Sequence, residues 1–422
     1  MPRQPKILTT VRDYDRPTFL ADITAGVTVA MVALPLSLAI AIASGADPAT
    51  GLVTAVVAGF LISLIGGSRV QIGGPTGAFI VVVYGVIADH GYDGLVLATL
   101  MAGAILVVGG LLRAGRLIQL VPEPVVNGFT LGIAVVIATS QLKDFLGLEA
   151  DEVPAEFFAK LETLWQVRDT FSLATALTGI VTVVLIVALR RAFPRAPGLI
   201  VAVAVTSAAV ALATLPVDTI QSRFGDLPRS LPMPTLPSVT PERLIELLPS
   251  ALVIAFLAGV ESLLSAMVAD RMIGGRHRPN AELLAQGVAN LGSALFGGLP
   301  ATGAIARTAT NVRAGGRTPV AGIVHAVTIL LVMLLAAPLA GYLAMPALAG
   351  LLMITAWNMS EPHRWAGYLR ERRSDQFLLV LTFVLTVVAD LTLAIGVGVI
   401  IGLALRLYSR DIPPSGWRTP RR

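Results

Sequence analysis

Two stretches of this chain place hydroxyls, a guanidinium and broken backbone inside otherwise apolar sequence. The first, 69–79, reads Arg69-Val70-Gln71-Ile72-Gly73-Gly74-Pro75-Thr76-Gly77-Ala78-Phe79, and the second, 299–311, reads Leu299-Pro300-Ala301-Thr302-Gly303-Ala304-Ile305-Ala306-Arg307-Thr308-Ala309-Thr310-Asn311. Proline suits the first position of a helix, because its missing N–H would be unpaired there anyway. A helix opening at Pro75 would therefore leave the amides of Thr76, Gly77 and Ala78 free, and one opening in the second stretch would offer those of Arg307, Thr308 and Ala309. Two helix starts facing each other make an anion site from backbone alone. Thr76, Thr308 and Thr310 add hydroxyl donors, and Arg307 adds a full positive charge. The plainer reading of the glycines is close helix packing. The plainer reading of Arg307 is an ion pair with Glu261.

Glu261 lies in the middle of an apolar run, where a carboxylate must be paired, protonated or cation-bound. Ser265, four residues on, shares its helical face. Together they form a candidate site for a coupling proton or a sodium ion. Burial favours the proton, because desolvation penalises the ionised form. Lesser candidates are Pro35 with Ser37 in the first apolar run, either lining a cavity or kinking a helix, and Glu123 with Asn127 on one helical face, Glu123 reading as an interfacial cap. Asp390 marks a turn between the last two apolar runs, Asn290 and Asn311 tie helix to helix, and His325 reads as a packed polar residue.

The elements that must position these groups are membrane helices. The chain has 422 residues, 55% of them hydrophobic and 14% charged, with a mean hydropathy of +0.79. Soluble domains carry about 25% charged residues. With no cysteine and four scattered histidines, there is no thiol chemistry and no metal site at helical spacing. No metalloprotease motif or nucleotide loop is present either, so the sequence suggests no enzyme, no cofactor and no catalytic residue. The net charge of +5 is explained by basic loops beside membrane spans rather than by nucleic-acid binding. Residues 1–20 are polar and basic without the apolar core of a secretory signal.

Apolar segments fall near 23–43, 49–66, 75–88, 93–112, 124–142, 172–190 and 197–215, then after a polar stretch near 249–269, 282–297, 307–314, 318–337, 342–357, 375–389 and 391–408. If every segment crosses and the N-terminus is cytoplasmic, the inner loops and tails hold 23 of the 31 lysines and arginines and the outer loops six. That bias fits the positive-inside rule and places both termini in the cytoplasm. The inner set includes Arg3, Arg12, Arg195, Arg406, Arg410, Arg418, Arg421 and Arg422, and the loop after segment five is acidic, with Asp144, Glu149, Asp151, Glu152, Glu156 and Glu162. Seven segments per half make the halves inverted. Ser63-Leu64-Ile65-Gly66-Gly67 aligns with Ala294-Leu295-Phe296-Gly297-Gly298 at an offset of 231, which sets Thr76 opposite Arg307.

These motifs resemble the SulP, or sulfate permease, family of anion transporters, close to its bacterial bicarbonate-transporter-like branch. The matching pieces include Asp22-Ile23-Thr24-Ala25-Gly26, Ala33-Leu34-Pro35, Gly45-Ala46-Asp47-Pro48, Ile72-Gly73-Gly74-Pro75-Thr76-Gly77, Asn127-Gly128-Phe129-Thr130, Glu261-Ser262-Leu263-Leu264-Ser265, Asn280-Ala281-Glu282-Leu283, Phe296-Gly297-Gly298-Leu299-Pro300 and Ala314-Gly315-Gly316-Arg317-Thr318. The resemblance covers about residues 20–408. It implies an all-α, uracil-permease-like membrane protein of fourteen segments in a seven-plus-seven inverted repeat, with short extended pieces opening segments three and ten. It also implies a cytoplasmic tail over 1–20, a transmembrane domain over 21–408 and a tail over 409–422. Segments 1–4 and 8–11 would form a core, and segments 5–7 and 12–14 a gate. The implied protein is a homodimer in membrane lipid, placed in the bacterial cytoplasmic membrane and carrying sulfate, bicarbonate, chloride or small dicarboxylates by alternating access. Family members usually carry a STAS domain after the last span; here about a dozen residues follow it, and truncation is the favoured reading. Arg307 matches the basic residue of many sulfate and chloride members. Glu261 and Ser265 match an acid and hydroxyl of sodium-coupled bicarbonate members, although 303–306 holds few hydroxyls for sodium. Proton-coupled symport is the preferred expectation, with sodium-coupled bicarbonate symport, uncoupled exchange or channel-like anion conduction as alternatives.

Overall fold

Long apolar runs must satisfy their backbone internally once water is gone, so they fold as helices. The computed structural model describes residues 4–11, 14–116, 122–150, 153–193, 197–389 and 391–408. The first half consists of α1 (Arg16–Ala43), α2 (Pro48–Ile65), a two-residue strand β1 (Gly73–Gly74), a short turn of 3₁₀ helix (Gly77–Phe79), α3 (Ile80–Leu111), α4 (Glu123–Ser140), α5 (Leu173–Ala192) and α6 (Gly198–Leu212). The second half consists of α7 (Pro241–Ile273), α8 (Pro279–Leu295), β2 (Thr302–Gly303), α9 (Ile305–Arg313), α10 (Val320–Gly341), α11 (Met345–Met359), α12 (Arg373–Val388) and α13 (Leu391–Tyr408). Segments three and four, together labelled α3, are two helices that meet without a loop at Gly91, whose φ 69° and ψ 178° are non-helical, a conformation open to glycine and costly for other residues. Counting α3 as two spans gives the fourteen expected, seven in each half.

Start signals are local. Asp15 caps α1 by accepting the Thr18 amide, and Asp47 caps α2 by accepting that of Ala49. Proline sits in the first turn of both helices.

The two halves meet where β1 and β2 cross as an antiparallel pair, Gly73 opposite Gly303 and Gly74 opposite Thr302. Extended backbone is costly inside a membrane unless each amide and carbonyl is paired. Here side chains from the surrounding helices do the pairing. Asn290 of α8 accepts the Ala301 amide at 2.9 Å and donates to the Ala301 carbonyl at 2.9 Å. The Thr54 hydroxyl accepts the Leu299 amide at 2.7 Å and Ser293 donates to the Leu299 carbonyl at 2.7 Å; in return the Thr302 hydroxyl of β2 donates to the Ala258 carbonyl of α7 at 2.9 Å. Asn311 donates to the Val70 carbonyl at 2.8 Å. Asn290 and Asn311 thus clamp the extended pieces, rather than joining helix to helix.

Around this crossing, α1, α2, α3, α7, α8, α9 and α10 pack mainly on one another, as do α4, α5, α11, α12 and α13. α11 and α6 also touch α1. Asp390, Arg3, Arg12, Asp151, Glu152, Arg195 and the tail 409–422 lie outside the described residues, as does the Arg406 side chain.

Candidate anion-binding site

The helix starts differ in register from the sequence expectation. Thr76, not Pro75, precedes the first helical residue of the first half; it is extended (φ −127°, ψ 156°), and Gly77 opens the turn. Its hydroxyl makes no capping bond and donates to Glu261 Oε2 at 3.0 Å. The first-turn amides are therefore those of Gly77 and Ala78. In the second half Ala304 precedes the helix, its amide donating to the Ile72 carbonyl at 2.8 Å and its carbonyl accepting the Thr308 amide at 2.9 Å. The first-turn amides are consequently those of Ile305, Ala306 and Arg307, while those of Thr308 and Ala309 lie further into the helix. Cap for cap, Thr76 matches Ala304, and Arg307 matches Phe79 rather than Thr76. The connector between the helices, 66–76 in the first half and 296–304 in the second, is shorter in the second, so the offset of 231 does not carry through.

A cavity of about 480 Å³ reaches these helix starts. Thr76, Gly77, Ala78, Glu261 and Arg307 line it, together with Gly303, Ala304, Ile305, Ala306 and Thr310. Ser265, Thr308 and Ala309 are not among its walls. The Ser265 hydroxyl is fully buried and lies 3.1 Å from the Thr308 hydroxyl, which in turn accepts the Ile72 amide at 3.1 Å. Both hydroxyls are thus spent on holding α9 and the backbone before β1 against α7. Among the described residues Glu261 accepts from Thr76 and Ser265 bonds Thr308, with no hydrogen bond between Glu261 and Ser265.

Arg307 is 1% exposed. It makes no ion pair with Glu261; its Nη2 donates to Ser37 Oγ at 3.2 Å, and its Nε and Nη1 have no hydrogen-bond partner among the described residues. Gly74 makes the space for this guanidinium, since a Cβ at Gly74 would lie 2.5 Å from Nη1. Ser37, two residues past Pro35, is therefore buried against Arg307 instead of facing the cavity. His325 is buried, and neither ring nitrogen has a hydrogen-bond partner among the described residues.

The facing wall comes from α4 and α11. Glu123, Asn127, Phe129 and Thr130 contribute from α4, and Thr355, Asn358 and Met359 from α11. Sequence reading found Glu123 and Asn127 but missed Thr130 and the α11 residues. Thr130 stands three residues past Asn127, so the polar stripe was visible. The cavity extends to a mouth at exposed Arg190 and Arg271 and half-buried Arg364. There Arg364 bridges Glu123 at 2.6 Å and Glu361 at 2.8 Å, so Glu123 is an ion-pair partner rather than a simple cap. Burial lowers the Arg364 pKa, but the bonds to Glu123 and Glu361 outweigh it and hold the pKa above its ordinary value.

Facing helix starts, two threonine hydroxyls and a buried guanidinium around a cavity can hold a small anion. The comparisons agree with that chemistry. The sequence pattern of the sulfate permease family matches residues 19–382. A putative sulfate transporter of Bacillus subtilis (strain 168), YvdB, is 45% identical over 414 residues, covering 96% of this chain and 78% of that one. The transmembrane domain of a cyanobacterial bicarbonate transporter, BicA, superposes with a TM-score of 0.80 at 30% identity, covering 92% of this chain and 98% of that one. A murine anion transporter, Solute Carrier 26 family member A9 in the inward-facing state, shares the fold with a TM-score of 0.86 at 17% identity, covering 97% of this chain and 72% of that one. Among the described residues, seven helices are individually long and apolar enough to cross a membrane. The chain belongs to the sulfate permease family, a family of multi-pass integral membrane anion transporters.

Proposed function

We propose that this chain is a secondary transporter of small oxyanions of the sulfate or bicarbonate class, working by alternating access with a proton carried on Glu261. The observation that carries the reading is the bond from the Thr76 hydroxyl to Glu261 Oε2 at 3.0 Å, beside the amides of Gly77 and Ala78. While Glu261 is ionised it claims that hydroxyl and sets a negative charge against the incoming anion. Protonation removes the charge and frees the hydroxyl, so a proton and an anion favour each other's binding. Glu261 has no cationic partner among the ion pairs of the described residues.

Sodium coupling is less well supported, because Ser265 is spent on Thr308 and leaves Glu261 short of oxygen ligands. The substrate class rests on relatives named as sulfate and bicarbonate transporters. In this reading α1, α2, α3 and α7 to α10 move as a core against a gate of α4 to α6 and α11 to α13. The cavity mouth, with Arg190, Arg271 and Arg364, faces the cytoplasm in accord with the positive-inside bias.

Uptake of radiolabelled sulfate and bicarbonate into proteoliposomes, with and without an imposed pH gradient, tests the reading. Uptake of at least one should rise when protons run inward. Transport of both anions that ignores the gradient would leave an uncoupled exchanger.

A further inference from the structure

Arg307 and His325 are both fully buried, and four of their nitrogen atoms have no hydrogen-bond partner among the described residues: Nε and Nη1 of Arg307 and both ring nitrogens of His325. A buried polar group without a partner is costly, and a charged one more so. The helices around the guanidinium offer it no free acid. α2, α9 and α10 contain no aspartate or glutamate. The one acid of α1, Asp22, accepts from Tyr14, Arg317 and Thr318, and Glu261 of α7 accepts from Thr76. Every residue of these helices is among those described.

The two side chains lie along one face of α2, a turn apart. A Cβ on Gly74 would lie 2.5 Å from Arg307 Nη1 and 3.7 Å from the Ala55 Cα. A Cβ on Gly59 would lie 3.1 Å from the Gly73 carbonyl oxygen and 3.7 Å from His325 Nδ1. β1 therefore runs along this face, with Gly74 and the guanidinium at the level of Ala55, and Gly73 and the imidazole at the level of Gly59. Four residues of helix rise about 6 Å. That span is too long for a direct hydrogen bond and suits one bridging water. A run of small residues alone would mean only close packing. The orphaned nitrogens are the independent observation.

We propose that an enclosed water links Arg307 to His325, and that His325 is thereby a positioning residue for the anion site, fixing where the guanidinium stands relative to the helix starts at Gly77 and Ile305. The inference rests on the anion-transport reading above, with Arg307 at the site. Two positive charges side by side in a buried groove would repel, so the imidazole is neutral and presents one bare nitrogen. A water accepts from Nη1 and donates to that nitrogen, giving both a partner. With Ser37 on Nη2, the guanidinium is then held at two of its nitrogens, and its freedom is spent before the anion arrives.

A double-mutant cycle tests this. The parent, His325→Leu, Arg307→Ala and the double variant are compared by uptake of radiolabelled sulfate and bicarbonate into proteoliposomes, and by thermal unfolding in detergent. His325→Leu should raise the KM for the transported anion about three- to tenfold with kcat little changed; in the Arg307→Ala chain it should change KM by less than about twofold, because no guanidinium is left to position. His325→Phe, should the leucine variant misfold, carries the same expectation. His325→Asn or His325→Gln, which puts an acceptor where Nδ1 or Nε2 stood, should recover part of the loss. A KM unmoved by His325→Leu, or moved equally with and without Arg307, would overturn the positioning role whatever happens to the unfolding temperature. A parental KM in Arg307→Ala would overturn it too, while transport itself stood. The unfolding cycle reads the link without transport: additive shifts would overturn it even if neither anion is carried, and coupled shifts would support it.

Discussion

The Thr76 hydroxyl and the Glu261 carboxylate meet at 3.0 Å although 185 positions separate them in the chain. The contact ties the start of one half-helix to the middle of α7, and it makes one hydroxyl answer to two acceptors, the carboxylate and an incoming anion. Thr76→Val keeps the shape and removes the donor. A neutral hydrogen bond contributes about 0.5–1.5 kcal/mol, so anion affinity should weaken by about two- to tenfold, measured by substrate titration of uptake. Thr76→Ser should stay near the parent.

Arg307 is held by one bond, to Ser37, in a niche that Gly74 leaves open. Arg307→Ala should lower anion affinity by about tenfold or more, since hydrogen bonds to charged groups contribute about 1.5–3 kcal/mol. Unchanged affinity would make Arg307 structural and leave the amides of Gly77, Ala78, Ile305 and Ala306 to hold the anion. Gly74→Ala should displace the guanidinium and mimic part of the Arg307→Ala defect without changing any charge.

Asn290 holds both polar groups of Ala301. Asn290→Ala leaves a buried amide and carbonyl unpaired, each costing about 1–3 kcal/mol, so thermal unfolding in detergent should shift clearly downward. Asn290→Asp retains the acceptor for the Ala301 amide and should lose less.

At the mouth, Arg364 and Glu123 have side chains 36% and 32% exposed. Partly exposed pairs contribute about 0–1 kcal/mol, so Arg364→Glu should barely change stability. It should instead raise the apparent KM for the anion, by replacing a positive charge with a negative one on the entry path. That effect should fade at high salt, and Glu123→Arg in the same chain should restore part of it.

The sequence carried the membrane frame well, because a 20-residue apolar run has few other ways to fold. It also carried the two broken stretches, because glycine and proline between such runs are rarely incidental. It did not carry the register of the helix starts. Pro75 looks like a first helical residue, but the Thr76 hydroxyl is drawn to Glu261 and the turn begins at Gly77. Helical spacing put Ser265 on the Glu261 face but could not say that Thr308 would occupy it. The pairing of Glu123 with Arg364, and the placing of His325 one turn of α2 from Arg307, depend on contacts between distant segments that no local pattern encodes.

The central claim is that Glu261 carries the coupling proton. It is tested most directly by comparing parent and Glu261→Gln in proteoliposomes, measuring initial uptake of radiolabelled sulfate and bicarbonate across a range of imposed pH gradients. The parent should transport at least one anion faster as the inward proton gradient grows. Glu261→Gln, neutral at every pH, should still exchange that anion but show a flat response to the gradient. A Glu261→Gln protein that follows the gradient as the parent does would contradict the account.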